Sequence, residues 1–249
     1  MTLIVSTLAL CMVALWLWSL PLKNSSIVDI FWGLGFVIVA WLAWWQWPTS
    51  PRGTLTVALV TTWGVRLAAY LAWRNIGKGE DPRYTAMRNR HGAAWWWRSL
   101  PIVFGLQGVL VLIIGVPVAQ AIILGGELGV LDAVGAALVV VGVSFETIGD
   151  LQLAAFKRAN AGKGLVMDRG LWRYTRHPNY FGDAVTWWGL FTIALGAGAW
   201  WAVFSPALMT TLLVRVSGVS LLEKTMKKRP GYDEYIRRTS SFFPRPPKP

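Results

Sequence analysis

The residues Arg173-Tyr174-Thr175-Arg176-His177-Pro178-Asn179-Tyr180-Phe181-Gly182-Asp183 bring two guanidiniums, an imidazole, an amide, a carboxylate and two phenols together in eleven positions. The apolar run 184–195 follows directly. A basic, polar cluster at the mouth of a membrane helix is costly to place there unless a charged or polar occupant offsets the cost. An anionic cofactor or a lipid headgroup would serve, and the segment points to an enzyme.

Other ionisable residues fall inside or beside apolar stretches: Asp29, Arg66, Glu146, Asp150 and Asp183, with Arg215 and Glu223 near a helix end. Such groups usually face a bundle interior or a wet cavity and find a partner there. Glu146 and Asp150 are four apart and share one helix face, a pair that seeks a cation or hydrogen-bond donors. Arg66 and Tyr70 share another face, which Arg74 continues. Internal salt bridges that orient the bundle would use the same residues. Their position toward the same side as the 173–183 cluster favours one polar cavity instead.

Several chemistries are excluded. No G-x-G-x-x-G follows a strand and no Walker loop is present, so neither soluble nucleotide fold is expected. His91 and His177 lack zinc spacing, and Cys11, the chain's one cysteine, leaves no disulfide framework or multi-cysteine metal site. No metal is expected. Ser217 and Ser220 read as ordinary helix residues. A transporter also carries buried charges, but no inverted repeat is visible and the polarity lies on one side, not at the midplane.

The elements that must position these groups are membrane helices. Mean hydropathy is +0.47. Apolar stretches long enough to cross about 30 Å of hydrocarbon run over 2–20, 27–47, 54–74, 98–122, 129–151, 181–199 and 201–220. The sixth and seventh are parted only by a tight turn near 199–201. The first lacks a small-residue cleavage site and reads as a retained helix. This is an all-α integral membrane protein, a seven-helix bundle forming one domain over 1–249.

The net charge of +12 does not point to nucleic acid, because its distribution alternates. Six Lys or Arg lie between Arg74 and Arg98, six between Lys157 and Arg176, and nine from Arg215 onward, whereas the alternate loops carry little beyond Arg52. The positive-inside rule then puts the N-terminus outside and the C-terminus in the cytosol. Contact with anionic lipid accounts for the rest of these loops.

The residues Gly142-Val143-Ser144-Phe145-Glu146-Thr147-Ile148-Gly149-Asp150-Leu151-Gln152, Lys163-Gly164 and 170–183 match the pattern of a known family. So do Glu223-Lys224, Pro230-Gly231-Tyr232-Asp233-Glu234-Tyr235 and Phe243-Pro244, while Trp63-Gly64-Val65-Arg66-Leu67-Ala68-Ala69-Tyr70 has the spacing of its third helix. On these residues the chain resembles the steroid 5α-reductase (3-oxo-5α-steroid 4-dehydrogenase-like) family in its bacterial branch. The R-H-P-x-Y-x-G core at Arg176–Gly182 also occurs in membrane sterol reductases and isoprenylcysteine-type methyltransferases; Asn179 after the proline leans toward the reductases.

The resemblance implies an NADPH-dependent reductase of a carbon–carbon double bond conjugated to a ketone, with a cytosolic-side cofactor cavity. It implies substrate-side helices over 1–97 and a mainly cofactor-binding half over 98–249. Asn179 and Asp183, with His177 and Tyr180 beside them, would hold the carboxamide and its ribose. Glu146 and Asp150 would take hydroxyls. Arg66, Tyr70, Arg74, Lys157, Lys163, Arg173 and Arg176 would meet phosphates or the adenine end, with Glu223 and Tyr235 closing the pocket. Cations suit phosphate, and Arg adds a bidentate fork.

At the family's catalytic acid and tyrosine this chain has Asp29 and Trp63. Burial in an apolar span favours a neutral, hydrogen-bond-donating Asp29. Trp63 keeps a donor, the indole N–H, without an ionisable hydroxyl, which leaves the proton donor open. The expected substrate is a 3-oxo-Δ4 steroid or similar apolar enone arriving from the bilayer, with membrane lipids as neighbours and no nucleic acid partner. A monomer in a bacterial inner membrane is expected, or in the endoplasmic reticulum of a eukaryote. The rival expectation is an S-adenosylmethionine-dependent isoprenylcysteine or lipid methyltransferase.

Overall fold

The computed structural model describes residues 1–216, 219, 223, 226, 227 and 229–248. Ser217, Ser220 and Lys224 lie outside the described residues, as does most of the seventh apolar stretch beyond 216. The described chain is all-helical, and its β-type pairing is one isolated parallel bridge, Thr175 with Ser240. Among the described residues, five helical segments are long and apolar enough to cross a membrane: Thr2–Leu22, Ile27–Gln46, Pro51–Asn75, Pro82–Ile114 and Val130–Ala159. Residues Trp200–Val216 form a shorter apolar helix.

The chain divides into two compact units. The first comprises Met1–Gly129 with Ala194–Ala202, the second Val130–Ile193 with Val203–Pro249.

In the first unit, α1 (Thr2–Leu22) ends where Lys23 takes a left-handed conformation, φ 49°, and returns its N–H to the carbonyl of Leu20. Next come α2 (Ile27–Gln46) and α3 (Pro51–Asn75). Ser50 caps α3 by accepting from the N–H of Gly53 at 3.0 Å, satisfying one of the donors a helix start leaves bare. The two helices cross at Gly33 and Gly64, where a Cβ on Gly33 would lie 2.5 Å from the carbonyl oxygen of Gly64. Small residues let helix backbones approach this closely in a membrane, where lipid supplies no hydrophobic drive between helices. Trp63 and Phe36 are fully buried at this crossing, their rings 5.7 Å apart edge to face.

A single helix over 98–122 is not what forms. After α4 (Pro82–His91) and α5 (Trp95–Ser99), a π-helical stretch covers Leu100–Gly105 and contains Pro101. Then α6 (Leu106–Ile114) stops at Gly115, and α7 (Val116–Leu124) starts afresh with Pro117 in its first turn. A proline lacks the N–H that would continue the ladder, so the apolar run bends there, and α7 packs on α2 and α3.

In the second unit, α8 (Val130–Ala159) has 30 residues, or about 45 Å at 1.5 Å per residue. That exceeds the hydrocarbon thickness, and its last turn carries the basic residues Lys157 and Arg158. A 3₁₀ turn at Gly170–Arg173 precedes α9 (Pro178–Gly196). The end of α9 and the tight turn after it, Ala194–Ala202, belong to the first unit, and the second resumes with α10 (Phe204–Thr211), which continues as a π-helical stretch to Val216. Near the C-terminus stands α11 (Tyr232–Arg238).

Candidate functional site

Glycine recurs every seventh residue on α8, at Gly135, Gly142 and Gly149, and again on α9 at Gly182 and Gly189. A Cβ on Gly189 would meet the carbonyl oxygen of Gly135 at 2.7 Å. One on Gly182 would meet that of Gly142 at 2.5 Å, and one on Gly149 would sit 3.2 Å from the backbone nitrogen of Asn179. The two helices therefore run antiparallel with their backbones in contact. This seam brings the carboxylates of α8 to the first turns of α9. Glu146 and Asp150 are both almost wholly buried, as is Asp183. Asn179 donates from Nδ2 to Asp150 Oδ1 at 3.2 Å, while its own Oδ1 is buried and, among the described residues, accepts no hydrogen bond. A buried polar atom left so is costly, and this one is an acceptor waiting for an N–H.

The residues before α9 are tied to the C-terminal tail. Arg176 donates Nε to Glu223 Oε1 at 2.8 Å, forms an ion pair with it through Nη2 at 2.7 Å, and sends Nη1 to the carbonyls of Ile236 and Thr239. It is 7% exposed, so its fork is spent within the protein. Of the cations the resemblance gave to phosphate in this unit, Lys157, Lys163 and Arg173 are the exposed ones. His177 stacks on Tyr180 with centroids 5.5 Å apart and lies 3.4 Å from Glu223 Oε1. Burial pushes the Glu223 carboxyl up, but hydrogen bonds from His177 and Arg176 outweigh it and hold it below the usual carboxylate range.

Tyr235 is buried, and its hydroxyl donates to the carbonyl of Trp172 at 2.5 Å; Trp172 Nε1 in turn donates to the carbonyl of Gly149 at 3.0 Å. Burial pushes the Tyr235 phenol well above its ordinary range. Both residues thus act as staples between α8, the pre-α9 loop and α11. Thr175 adds another, donating to the carbonyl of Phe242 at 2.8 Å.

In the first unit Asp29 is an acceptor rather than the expected donor. Tyr84 donates its hydroxyl to Oδ1 at 2.6 Å, Gln107 donates to the same oxygen at 3.2 Å, and Arg83 pairs with Oδ2 at 2.8 Å. Gln107 also reaches the Tyr84 oxygen at 3.1 Å. Sequence reasoning missed Arg83, Tyr84 and Gln107. A signal was available for two of them: Asp81 before Pro82 is a helix start, and its side chain caps α4 by accepting from the N–H of Arg83 at 2.9 Å. Trp63 stands apart from this group in the α2–α3 core. Arg66 and Arg74 both lie over the ring of Tyr70, at 5.4 and 5.8 Å, a cation–π column along one face of α3.

Among the described residues no three His, Cys, Asp or Glu side chains gather as metal ligands. Each unit thus holds its own polar cluster: a buried carboxylate–amide cluster in the second, and a tyrosine–carboxylate–arginine set in the first.

No curated protein matches the chain, and no solved structure does. The family described as protein of unknown function DUF1295 has a model that matches residues 15–239. That covers most of the chain, both units and every residue considered above from Asp29 to Tyr235, and the chain belongs to this family.

Proposed function

We propose that the protein is an NADPH-dependent reductase that saturates the C=C bond of a 3-oxo-Δ4 steroid or a similar apolar enone. One observation supports it most: the buried, unsatisfied Oδ1 of Asn179 beside Asp150. A nicotinamide carboxamide offers the N–H that this oxygen lacks, and the carboxylates Glu146, Asp150 and Asp183 suit ribose hydroxyls. Lys157, Lys163 and Arg173 suit the phosphates. When bound, the cofactor supplies a hydride for the β-carbon of the enone.

The chain's own part is orientation, exclusion of water and stabilisation of the oxyanion that develops at the ketone. Asp29 would act as a positioning residue for Tyr84: in the reaction the phenol O–H, which rests on Asp29 Oδ1 at 2.6 Å, would turn to the ketone oxygen, a phenolic donor that Trp63 does not provide. A proton reaches the α-carbon afterwards.

Titration of the purified protein in detergent with NADPH and, separately, with S-adenosylmethionine tests the reading. NADPH at about a hundred times its Kd should stabilise the fold by roughly 2.7 kcal/mol and raise the thermal midpoint, and S-adenosylmethionine should leave it in place. The reverse ranking would favour the methyltransferase that shares the Arg176–Gly182 core.

The reading includes seven spans, adding α9 and the helix from Trp200 onward to the five long apolar ones, with the N-terminus outside, in a bacterial inner membrane and as a monomer. Single cysteines introduced as Thr49→Cys and Ser241→Cys in a Cys11→Ala background should label from opposite faces. Labelling of both from one face would exclude an odd number of crossings between them.

A further inference from the structure

We propose that the second unit carries a separate binding site for a single phosphate group, in the cleft between the pre-α9 loop and α11. The cleft has a volume of about 400 Å³, within the range of small-ligand sites. Its lining includes Asp168, Arg169 and Arg173 from the loop and Glu234, Tyr235 and Arg238 from α11.

Three features argue for a ligand. Three arginines line one concavity, Arg238 coming from a segment more than sixty positions after Arg169 and Arg173. Among the described residues no ion pair or side-chain hydrogen bond engages any of them, whereas Arg176, Arg83 and Arg88 are each bound to a carboxylate. The walls are also fixed in advance. The hydroxyl of Tyr235 is spent on Trp172, Thr239 donates to the carbonyl of Arg173 at 3.4 Å, and the N–H of Lys248 to that of Arg238 at 2.9 Å. A site held by its own backbone loses little entropy on binding.

The charges set the ligand class. Three cations against two carboxylates leave one net positive charge, enough for a phosphate monoester or diester and too little for a polyphosphate. The forks of Arg suit the phosphate oxygens. Asp168 and Glu234 can accept from a hydroxyl or ammonium on the esterified group. Such a phosphate belongs either to a lipid headgroup or to a soluble ester. Glu146, Asp150, Asn179 and Asp183 do not line the cleft, whereas Arg173 and Tyr235, which the reductase reading gives to the cofactor, do, so the NADPH titration of the variants is the arm that separates the two sites.

Calorimetric titration of the detergent-solubilised full chain with glycerol 3-phosphate and with dihexanoyl phosphatidic acid tests it. Both should bind saturably. The double variant Arg169→Gln/Arg238→Gln should weaken both by about tenfold or more, the loss of two charge-assisted contacts, and should bind NADPH as the parent does. The control Arg158→Gln should change nothing. Glu234→Gln should tighten binding of pyrophosphate, a gain that misfolding cannot imitate. A clear preference for phosphatidic acid identifies a lipid headgroup as the source, and equal binding identifies a soluble ester. Unchanged binding in the double variant, no binding by the parent, no gain in Glu234→Gln, or a parallel loss of NADPH would each overturn a separate phosphate site.

Discussion

Asp29→Asn should lower enone turnover by about 10²–10³, the usual cost of disabling one element of oxyanion stabilisation, and leave NADPH affinity nearly unchanged. The amide can still accept from Tyr84 but cannot pair with Arg83, whose Nη2 lies 2.8 Å from the carboxylate. The loss therefore falls on the position of the phenol and on the local charge. Tyr84→Phe should show the same profile, since it removes the hydroxyl and keeps the ring. Asn179→Ala should behave differently and weaken NADPH binding and turnover together. A group that acts mainly in the transition state lowers kcat without a matching change in ground-state binding, which separates the two kinds of variant. Full activity in Asp29→Ala would make the carboxylate a purely structural partner of Arg83.

Gly182→Ala should destabilise the second unit by about 1–3 kcal/mol, the range for overpacking a tight interface. Two effects compete there. Alanine is favoured over glycine in a helix by up to about 1 kcal/mol. Against this, the new Cβ would sit 2.5 Å from the carbonyl oxygen of Gly142 and 2.6 Å from the backbone nitrogen of Glu146. Both obstacles are backbone atoms, so α8 and α9 would have to move apart, and the clash prevails. The thermal midpoint should drop by several degrees, at roughly 2–4 °C per kcal/mol, while Val141→Ala on the exposed side of α8 should change little. A higher midpoint in Gly182→Ala would mean the seam is looser than the distances imply.

The sequence announced the long helices well and their interruptions poorly. Apolar runs at 2–20 and 27–47 become α1 and α2 with ends shifted by a residue or two, because length and hydropathy alone define such elements. The run 98–122 reads as one span because hydropathy is blind to the missing N–H of Pro117 and to the π-helical stretch at Leu100–Gly105. The face shared by Glu146 and Asp150 was legible from their spacing, but the partner of Asp150 was not, since Asn179 lies 29 positions away. Arg176 shows the limit most clearly. Its residue type and motif suggest a phosphate ligand, and only the tail's return, with the carbonyls of Ile236 and Thr239, reveals that its donors are already used. Asp29 was singled out by its place in an apolar run, yet Arg83, Tyr84 and Gln107 reach it across 54, 55 and 78 positions. Periodicity carries no information at that range.

The pairing of residues 173–176 with the tail has a consequence for biogenesis. Arg176 takes its backbone partner from Ser240, Thr175 from Phe242, and Tyr174 gives its carbonyl to Arg245. Those tail residues leave the ribosome more than sixty positions after the loop they bind. The helices of the first unit are synthesised early and are free to insert and pack as they emerge. The loop that leads into Asn179 must wait, without these hydrogen-bond partners, until the tail has emerged. A chain halted before residue 240 would thus hold its early membrane helices and lack an organised entry to α9, so maturation of the site lags behind insertion of the first unit.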